Sequence, residues 1–315
     1  MTTTMPTAPT MPTMPATGGP ADPAAAGANE LGDVPVLMYH RITAQPKSVY
    51  DRTPAEFGSE LERLAGERYV PVTAAQYTAG EIDIPAGAHP VVLTFDDGDP
   101  SQLTLTPRGE PAPDTAVAIL RDVAGRHPEF RPVATFYVNR DPFGDPGGTR
   151  TLPWLRDHGM DIGNHTLGHA NLRQAGAAGA QREIAQGDAA IRHAAPGVEP
   201  ATIALPFGVR PVTAELALAG SDNGVSYQYR GAFLVGADPA PSPYSADFAR
   251  AGIPRIRSQG PDGPEAEFAS TGWLDKLTAS PARRYTSDGI PDHVTYPRGS
   301  SRAVAVAYQG SARPY

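Results

Sequence analysis

The residues best suited to catalysis form three short polar clusters, each directly after an apolar run that predicts a buried strand. In βα-barrels the carboxyl ends of the strands share one face, where functional groups gather. Clusters in that position can converge although they lie far apart in the sequence. The three clusters are Asp96-Asp97-Gly98, the stretch from Gly163 to His169, and Pro206-Phe207-Gly208.

His165 and His169 could bind one metal ion, because histidines four residues apart face the same side of a helical turn or tight loop. One carboxylate from Asp96 or Asp97 would complete a set of two histidines and one aspartate, which leaves coordination positions open for catalysis. Adjacent residues leaving a strand point to opposite sides. One aspartate would therefore bind the ion while the other acts as a base. An Asx-turn into Gly98 explains one aspartate well but two poorly.

Composition excludes several other classes of function. The net charge is −8, and Lys47 and Lys276 are the only lysines, so the chain offers no basic run for nucleic acid. The absence of cysteine excludes disulfides and thiolate metal sites. No apolar stretch reaches the roughly 18 residues that a membrane helix needs. We therefore expect neither a nucleic-acid partner nor a membrane-spanning segment.

Apolar runs alternate with helical spacings along the chain, which predicts an α/β fold with a parallel sheet, open or closed into a barrel. The predicted strands cover residues 34–39, 91–95, 133–138, 160–162, 201–205, 231–235 and 253–256. The predicted helices cover residues 53–65, 114–126, 153–158, 172–195 and 212–219.

The composition and the alternating pattern also predict that the chain is divided into three parts. Residues 1–33 are expected to be a disordered tether, because a Thr-, Pro-, Met-, Ala- and Gly-rich segment cannot bury enough apolar surface to offset its ordering entropy. No signal peptide is visible there, since the first 40 residues contain no Lys or Arg. Residues 34–260 carry the alternating pattern, and it fades in a C-terminal extension over residues 261–315.

Over about residues 34–257 the sequence resembles the NodB-type polysaccharide deacetylases, carbohydrate esterase family 4. The resemblance implies a distorted (β/α) barrel with six to seven parallel strands. It also implies removal of acetyl groups from N-acetylated, or O-acetylated, carbohydrate polymers such as peptidoglycan, chitin or exopolysaccharide. We expect a monomer that acts outside a bacterium or at its surface. The motifs are Thr94-Phe95-Asp96-Asp97-Gly98 and His165-Thr-Leu-Gly-His169, supported by Val36–Arg41, Ala134–Val138 and Leu205–Gly208.

The resemblance implies the roles of the two aspartates and the two histidines, and the roles of Phe207 and His40 are our own hypotheses. Asp96 would be the catalytic base. One divalent metal ion, with zinc expected, would be bound by Asp97, His165 and His169. The backbone N–H of Phe207, next to Pro206, would hold the oxyanion. His40, at the end of the first strand, is the first candidate for the proton donor, and Asp96 returning its own proton is the second.

Three features of the family are missing. The arginine of the third motif is replaced by Ala204, residues 220–250 hold no counterpart of the Asp/Trp motif, and the late histidine is absent, since His293 is the only histidine after His193. Arg255, in a Pro-Arg-Ile run, could replace the lost arginine, because its planar fork can hold the Asp96 carboxylate through two bonds. The alternative function is a catalytically impaired, carbohydrate-binding member of the same fold.

Overall fold

The computed structural model describes residues 22–315 of the 315-residue chain, in which strands and helices alternate. The strands are β1 (Val36–Tyr39), β2 (Tyr69–Val72), β3 (His89–Phe95), β4 (Thr135–Val138), β5 (Asp161–Asn164), β6 (Thr202–Ala204), β7 (Ala219–Asp222), β8 (Val225–Gln228), β9 (Gly231–Phe233), β10 (Ile256–Arg257), β11 (Val294–Tyr296) and β12 (Ala312–Pro314). The helices are α1 (Pro23–Ala26), α2 (Pro54–Gly66), α3 (Ala74–Ala79), α4 (Ala116–Arg126), α5 (Thr151–Asp157), α6 (Gly176–Ala194) and α7 (Ser270–Ala279).

Eight parallel strands form the central sheet. Seven of them follow the order β10-β1-β3-β4-β5-β6-β9, and β2 pairs with the first half of β3. The two ends of this order approach each other through one segment, because Ile253 bridges Phe233 of β9 while Ile256 pairs with Leu37 of β1. The predicted fold, a distorted (β/α) barrel of the NodB type, is confirmed, but the sheet has eight parallel strands instead of the expected six to seven. Among the described helices, none is long and apolar enough to cross a membrane.

Two local predictions differ from the structure. The strand β2 is missing from the predicted set. Its Pro71 is tolerated because β2 lies at an edge and pairs only with β3. Within residues 212–219, where the sequence predicts a helix, the structure has a single 3₁₀ turn over Ala214–Ala217, and the hairpin β7–β8 begins at Ala219. Asn223 and Gly224, both at positive φ, make the hairpin turn, as an Asn-Gly pair favours.

The alternation of side chains along β3 positions the first polar cluster. Val91, Leu93 and Phe95 pack in the cluster that contains α2 and α4, whereas Val92 packs in the barrel interior with Tyr137. Because side chains of a strand alternate between its faces, Asp96 continues the inward-facing set. An inward-facing carboxylate at the end of a buried strand needs a partner inside the barrel.

The expectation of disorder over residues 1–33 is wrong for the part that the structure describes; residues 1–21 lie outside it. Leu31 is fully buried, and Glu30 and Asp33 are nearly so. The segment is ordered because the C-terminal extension covers it: the backbone N–H of Asn29 donates to Thr286, and that of Asp33 donates to Arg283. Composition could not predict this order, because the segment that contacts residues 29–33 lies some 250 residues later in the sequence.

The C-terminal extension, residues 261–315, is folded against the barrel. Trp273 and Leu274 of α7 belong to the same core cluster as β3, and Tyr285 and Val294 pack with β2. The hydrophobic periodicity of this part is weak because, apart from α7, its elements are short strands and 3₁₀ turns. The boundary at residue 260 remains a prediction.

Candidate active site

The Asp96 carboxylate is held by Arg255 inside the barrel. Arg255 Nη1 and Nη2 donate to the two carboxylate oxygens at 2.7 and 2.6 Å. The arginine is fully buried, and its Nε donates to the Leu234 carbonyl at 2.8 Å. Burial alone would raise the pKa of Asp96, but the charge and hydrogen bonds of Arg255 outweigh it and hold that pKa well below its usual range. Asp96 is thus ionised in one fixed orientation.

Asp97, His165 and His169 form a compact set of potential metal ligands. One donor atom from each lies within 4.8 Å of the others. The Nε2 atoms of His165 and His169 are 3.3 and 3.4 Å from Asp97 Oδ1. Asp97 and His169 are partly exposed at the mouth, while His165 is buried. The three residues that the sequence proposed as ligands therefore come together from two different strand ends.

Backbone contacts orient His165. Its Nδ1 donates to the Ala204 carbonyl at 2.8 Å, which leaves Nε2 toward Asp97 as an available ligand atom. Asn139, directly after β4, donates to the carbonyls of His165 and Thr166 at 2.7 and 2.9 Å. The position that lacks the family arginine, Ala204, thus contributes to the site through its backbone.

A buried chain of hydrogen bonds supports residues 165–169, which we call the histidine loop. The sequence did not predict these bonds. Asn164 Oδ1 accepts from the Thr166 N–H at 2.8 Å, and Asn164 Nδ2 donates to Tyr229 Oη at 2.7 Å. Tyr229 in turn donates to Asp188 of α6 at 2.9 Å. Asn164, Asp188 and Tyr229 lie 24 to 65 positions apart, so no local pattern could signal the chain of bonds.

Gly187 lets α6 approach the histidine loop. A Cβ at this position would lie 2.5 Å from Asn164 Oδ1 and 3.0 Å from the Leu167 nitrogen. The glycine weakens α6 as an isolated helix, yet it allows Glu183 of the same helix to accept from the Gly168 N–H at 2.9 Å. Gly187 therefore lowers the helix propensity of α6 but allows the helix to pack closely against the histidine loop.

Backbone strain concentrates at the same place. Of the eight non-glycine residues with positive φ in the described chain, four lie in the polar clusters: Asp97, Thr166, His169 and Phe207. A positive φ is costly for a residue with a Cβ, and such residues collect at functional sites when the surrounding contacts hold them. The strain independently marks these loops as functional.

His40 lies close to the base. Gln102, a buried residue that the sequence analysis did not single out, donates from one Nε2 to the carbonyls of Asp96 and His40, at 2.6 and 2.8 Å. The ring of His40 contacts Tyr50, with 4.9 Å between centroids. Burial lowers the pKa of His40, while the charges of Asp96 and Asp97 oppose that shift. His40 Nδ1 is buried and has no hydrogen-bond partner among the described residues.

Pro206 and Phe207 form the wall beside His169. Pro206 is buried, whereas the Phe207 side chain is 60% exposed, and its ring centroid lies 4.6 Å from that of His169. The oxyanion role of the Phe207 N–H remains a prediction. His293 cannot serve this site: it faces Asp288, 3.7 Å away, in a region joined to the start of β3 by the Thr286–His89 contact.

A comparison with known families finds one match that spans the catalytic clusters. Residues 83–227 match the family model described as polysaccharide deacetylase. The resemblance to the polysaccharide deacetylases is confirmed. The matched range contains both aspartates, both histidines and the Pro206-Phe207 pair, whereas His40 and Arg255 lie outside it. The match supports carbohydrate deacetylation as the class of reaction, with an acetylated glycan as the class of substrate.

Several solved structures of deacetylases show the same fold. The deacetylase PplD of Streptococcus pyogenes superposes with a TM-score of 0.55 at 21% identity, covering 74% of this chain and 96% of its own. A polysaccharide deacetylase of Bacillus cereus gives 0.52 at 20% identity, with 74% and 67% covered. IcaB of Ammonifex degensii gives 0.50 at 20% identity, with 75% and 96% covered. No curated protein matches the chain significantly.

Proposed function

We propose that this protein is a metal-dependent hydrolase that removes acetyl groups from N-acetylated, or O-acetylated, carbohydrate polymers such as peptidoglycan, chitin or exopolysaccharide. The observation that carries the proposal is one strand end with two distinct carboxylates. Asp96 is buried and paired with Arg255, and Asp97 faces His165 and His169. Because such polymers lie outside the cell, we place the reaction at or beyond a bacterial surface, with the protein acting as a monomer.

The donor set fits a divalent metal ion, and we propose zinc. Two imidazole nitrogens and one carboxylate oxygen suit zinc, and three protein ligands leave room for substrate. The His165 contact with Ala204 supports this, since it is the outer hydrogen bond that metal-binding histidines usually make. An ion held there would supply Lewis-acid chemistry, polarising the acetyl carbonyl and making a water molecule more acidic.

Asp96 is the base in this proposal. Its carboxylate is kept ionised by Arg255 and lies next to Asp97, so it can take the proton of the attacking water. Arg255 is a positioning residue, since it holds both oxygens and leaves the carboxylate one rotamer. The backbone N–H of Phe207 would stabilise the negative charge that develops on the acetyl oxygen.

His40 is the proposed proton donor to the departing amine. It lies at the end of β1, joined to Asp96 through Gln102, and its Nδ1 has no partner among the described residues. Return of the proton from Asp96 is the second route. A His40→Gln variant that keeps full turnover would favour the second.

The second candidate function is a catalytically impaired, carbohydrate-binding protein of the same fold. The missing Asp/Trp motif and late histidine favour it. The lost motif arginine no longer does, because Arg255 makes the paired contact with Asp96. Acetate release distinguishes the two functions, whereas metal binding does not.

The test is acetate release from a panel of acetylated glycans by the zinc-loaded protein. Asp96→Asn should keep the metal and lower turnover about 10²- to 10⁴-fold, as expected when a general base is removed. His165→Ala should lose most of the metal. If Asp96→Asn loses its metal while Asp97→Asn retains it, the two roles are reversed.

A further inference from the structure

A cleft beside the barrel mouth is not explained by the chemistry above. Two adjoining cavities of about 370 and 460 Å³ share Arg52, Glu56, Gly260 and Pro261, and we refer to them together as the rim cleft. Neither cavity is lined by Asp96 or by the three proposed metal ligands. Their volumes are in the range of sites that bind small molecules.

The position of the rim cleft connects it with the active site. Its walls come from residues 47–63, which follow β1, and from residues 259–274, which follow β10. The strands β1 and β10 are neighbours in the sheet, and His40 directly follows β1. Both walls therefore leave the barrel at the edge that carries the catalytic cluster.

Tyr50 lies between the rim cleft and the catalytic cluster. Its chain neighbours Val49 and Asp51 line the cleft, while its ring lies 4.9 Å from the ring of His40. The Arg257 guanidinium packs 4.8 Å from the centre of the same ring. A long ligand could thus extend from the acetyl-binding position across the partly exposed Tyr50 into the cleft.

The chemistry of the walls suits an uncharged polar ligand. Three lining residues that are at least partly exposed, Ser48, Ser59 and Thr271, bring hydroxyl groups to the walls. Ala55 and Pro261 supply apolar surface. Basic and acidic side chains nearly balance, which disfavours a polyanion: Lys47, Arg52 and Arg63 against Asp51, Glu56, Glu60 and Asp262.

We propose that the rim cleft is a subsite for the glycan chain, which binds an uncharged N-acetylated sugar unit remote from the acetyl group that is removed. Hydroxyl and acetamide groups of the sugar would form hydrogen bonds with the wall hydroxyls, and the sugar ring would cover the apolar wall. This inference rests on the proposed function and narrows it to an enzyme that prefers long chains. Binding energy from the remote unit would then favour polymers over short fragments.

Gly260 allows a direct test. Only Glu56 Oε1, at 3.8 Å, comes near a Cβ placed there, so a larger side chain can enter the cleft without backbone strain. We compare acetate release from the dimer and the hexamer of N-acetylglucosamine. Gly260→Trp should lower the hexamer-to-dimer ratio of kcat/KM roughly tenfold, mainly through KM. Gly299→Trp is the matched control, because a Cβ at Gly299 meets nothing within 4 Å.

A ratio in Gly260→Trp equal to that of the wild type would overturn the subsite. If Gly260→Trp does not fold, Asp262→Trp, at an exposed position on the same wall, takes its place. If the wild type releases no acetate from either oligomer, the proposed function fails, and calorimetry with the hexamer then tests the cleft alone. Weaker hexamer binding in Gly260→Trp supports the subsite, and equal or absent binding in the wild type and variant rejects it.

Discussion

Asp96 shows how a single residue depends on distant parts of the chain. Its carboxylate is 2% exposed, so it would be too costly to ionise without a cation beside it. Arg255 provides that cation from a position 159 residues later in the sequence. Thr94 adds a hydrogen bond to the same guanidinium at 3.1 Å, which fixes Arg255 in turn. The base is therefore oriented by the barrel interior rather than by its own motif.

Replacing Arg255 with lysine should impair catalysis without removing the metal ligands. A lysine keeps the charge but cannot hold both carboxylate oxygens, so Asp96 would lose its fixed orientation. We expect Arg255→Lys to lower kcat about 10- to 100-fold with little change in KM. Steady-state kinetics with metal analysis would check this.

The matched control is Arg283→Lys. Arg283 also pairs with an aspartate, Asp33, at 2.6 Å, but it does so far from the strand ends that carry the site. The Arg283→Lys substitution should leave kcat at the wild-type value. An Arg255→Lys protein with normal kcat would show that Asp96 needs no such partner.

At the scale of elements, α6 is packed to serve the histidine loop. Its buried face includes Gly187 and Asp188, which touch the loop through Asn164 and Tyr229. The helix has three glycines along its length, at 176, 179 and 187. Such a helix is weak in isolation, and its packing against the barrel stabilises it.

Gly187→Ala should displace the histidine loop. Its Cβ would meet Asn164 Oδ1 at 2.5 Å and backbone atoms at 3.0 Å, so loop or helix must move. Overpacking of this kind costs about 1–3 kcal/mol of folding stability. We also expect weaker zinc binding, measured by competition with a chelator.

Gly125→Ala in α4 is the control for this substitution. Nothing lies within 4 Å of a Cβ at Gly125, and it also lies in a helix. The exchange should be neutral or slightly stabilising, because alanine favours helix over glycine. Equal zinc affinity in the two alanine variants would show that the close approach of α6 does not position the ligands.

At the scale of the whole molecule, residues 30–33 near the start of the described chain contact residues 283–302 near its end, and both segments pack on the barrel. Glu30 accepts from the Thr295 N–H at 2.8 Å, and Asp33 pairs with Arg283 and Arg302. Leu31 is buried in the cluster that contains Tyr285. These contacts join chain positions more than 240 residues apart, so both ends belong to one folding unit.

A chain that starts at Gly32 should therefore be less stable than the full chain. It loses the burial of Leu31, worth about 1.5–3 kcal/mol, together with the contacts of Glu30. A chain that starts at Asp22 keeps all of these contacts and serves as the control. Urea unfolding at pH 4.5, where the burial of Glu30 costs little because its carboxyl is readily protonated, would measure the difference. Equal midpoints for the two truncations at that pH would contradict the packing described.

The pH dependence of stability should carry the signature of Glu30. Burial, together with the nearby charge of Asp288, raises the pKa of Glu30 from 4.5 to about 8 in the folded protein. The folded state then holds this proton more tightly than the unfolded state does. The contribution of Glu30 to stability should fall as pH rises from about 4.5 to 8, by up to about 5 kcal/mol, and should level off above pH 8.

Glu30→Gln should remove this part of the pH dependence. The amide is neutral at every pH and has nearly the same shape, so the variant should gain stability relative to the wild type at pH 8.5 and not at pH 4.5. Denaturant unfolding at both pH values checks this. A wild-type-minus-variant difference that does not change with pH would show that Glu30 titrates normally.

The sequence by itself predicted the alternation of strands and helices, and with it the barrel. It also singled out Asp96, Asp97, His165 and His169 as candidates. These predictions succeed because they rest on local chemistry: apolar runs that must be buried, and polar residues placed at the ends of such runs. The pattern around residues 91–98 and 160–169 can be read without knowing where the rest of the chain lies.

Tertiary structure alone decided what surrounds those residues. Whether Arg255 reaches Asp96, whether Tyr229 supports Asn164, and whether Leu31 is buried all depend on contacts between segments far apart in sequence. Such contacts leave no local periodicity, because each is made by one side chain meeting a neighbour that only the folded barrel brings near. The same reason explains why composition predicted disorder where the C-terminal extension instead provides a partner.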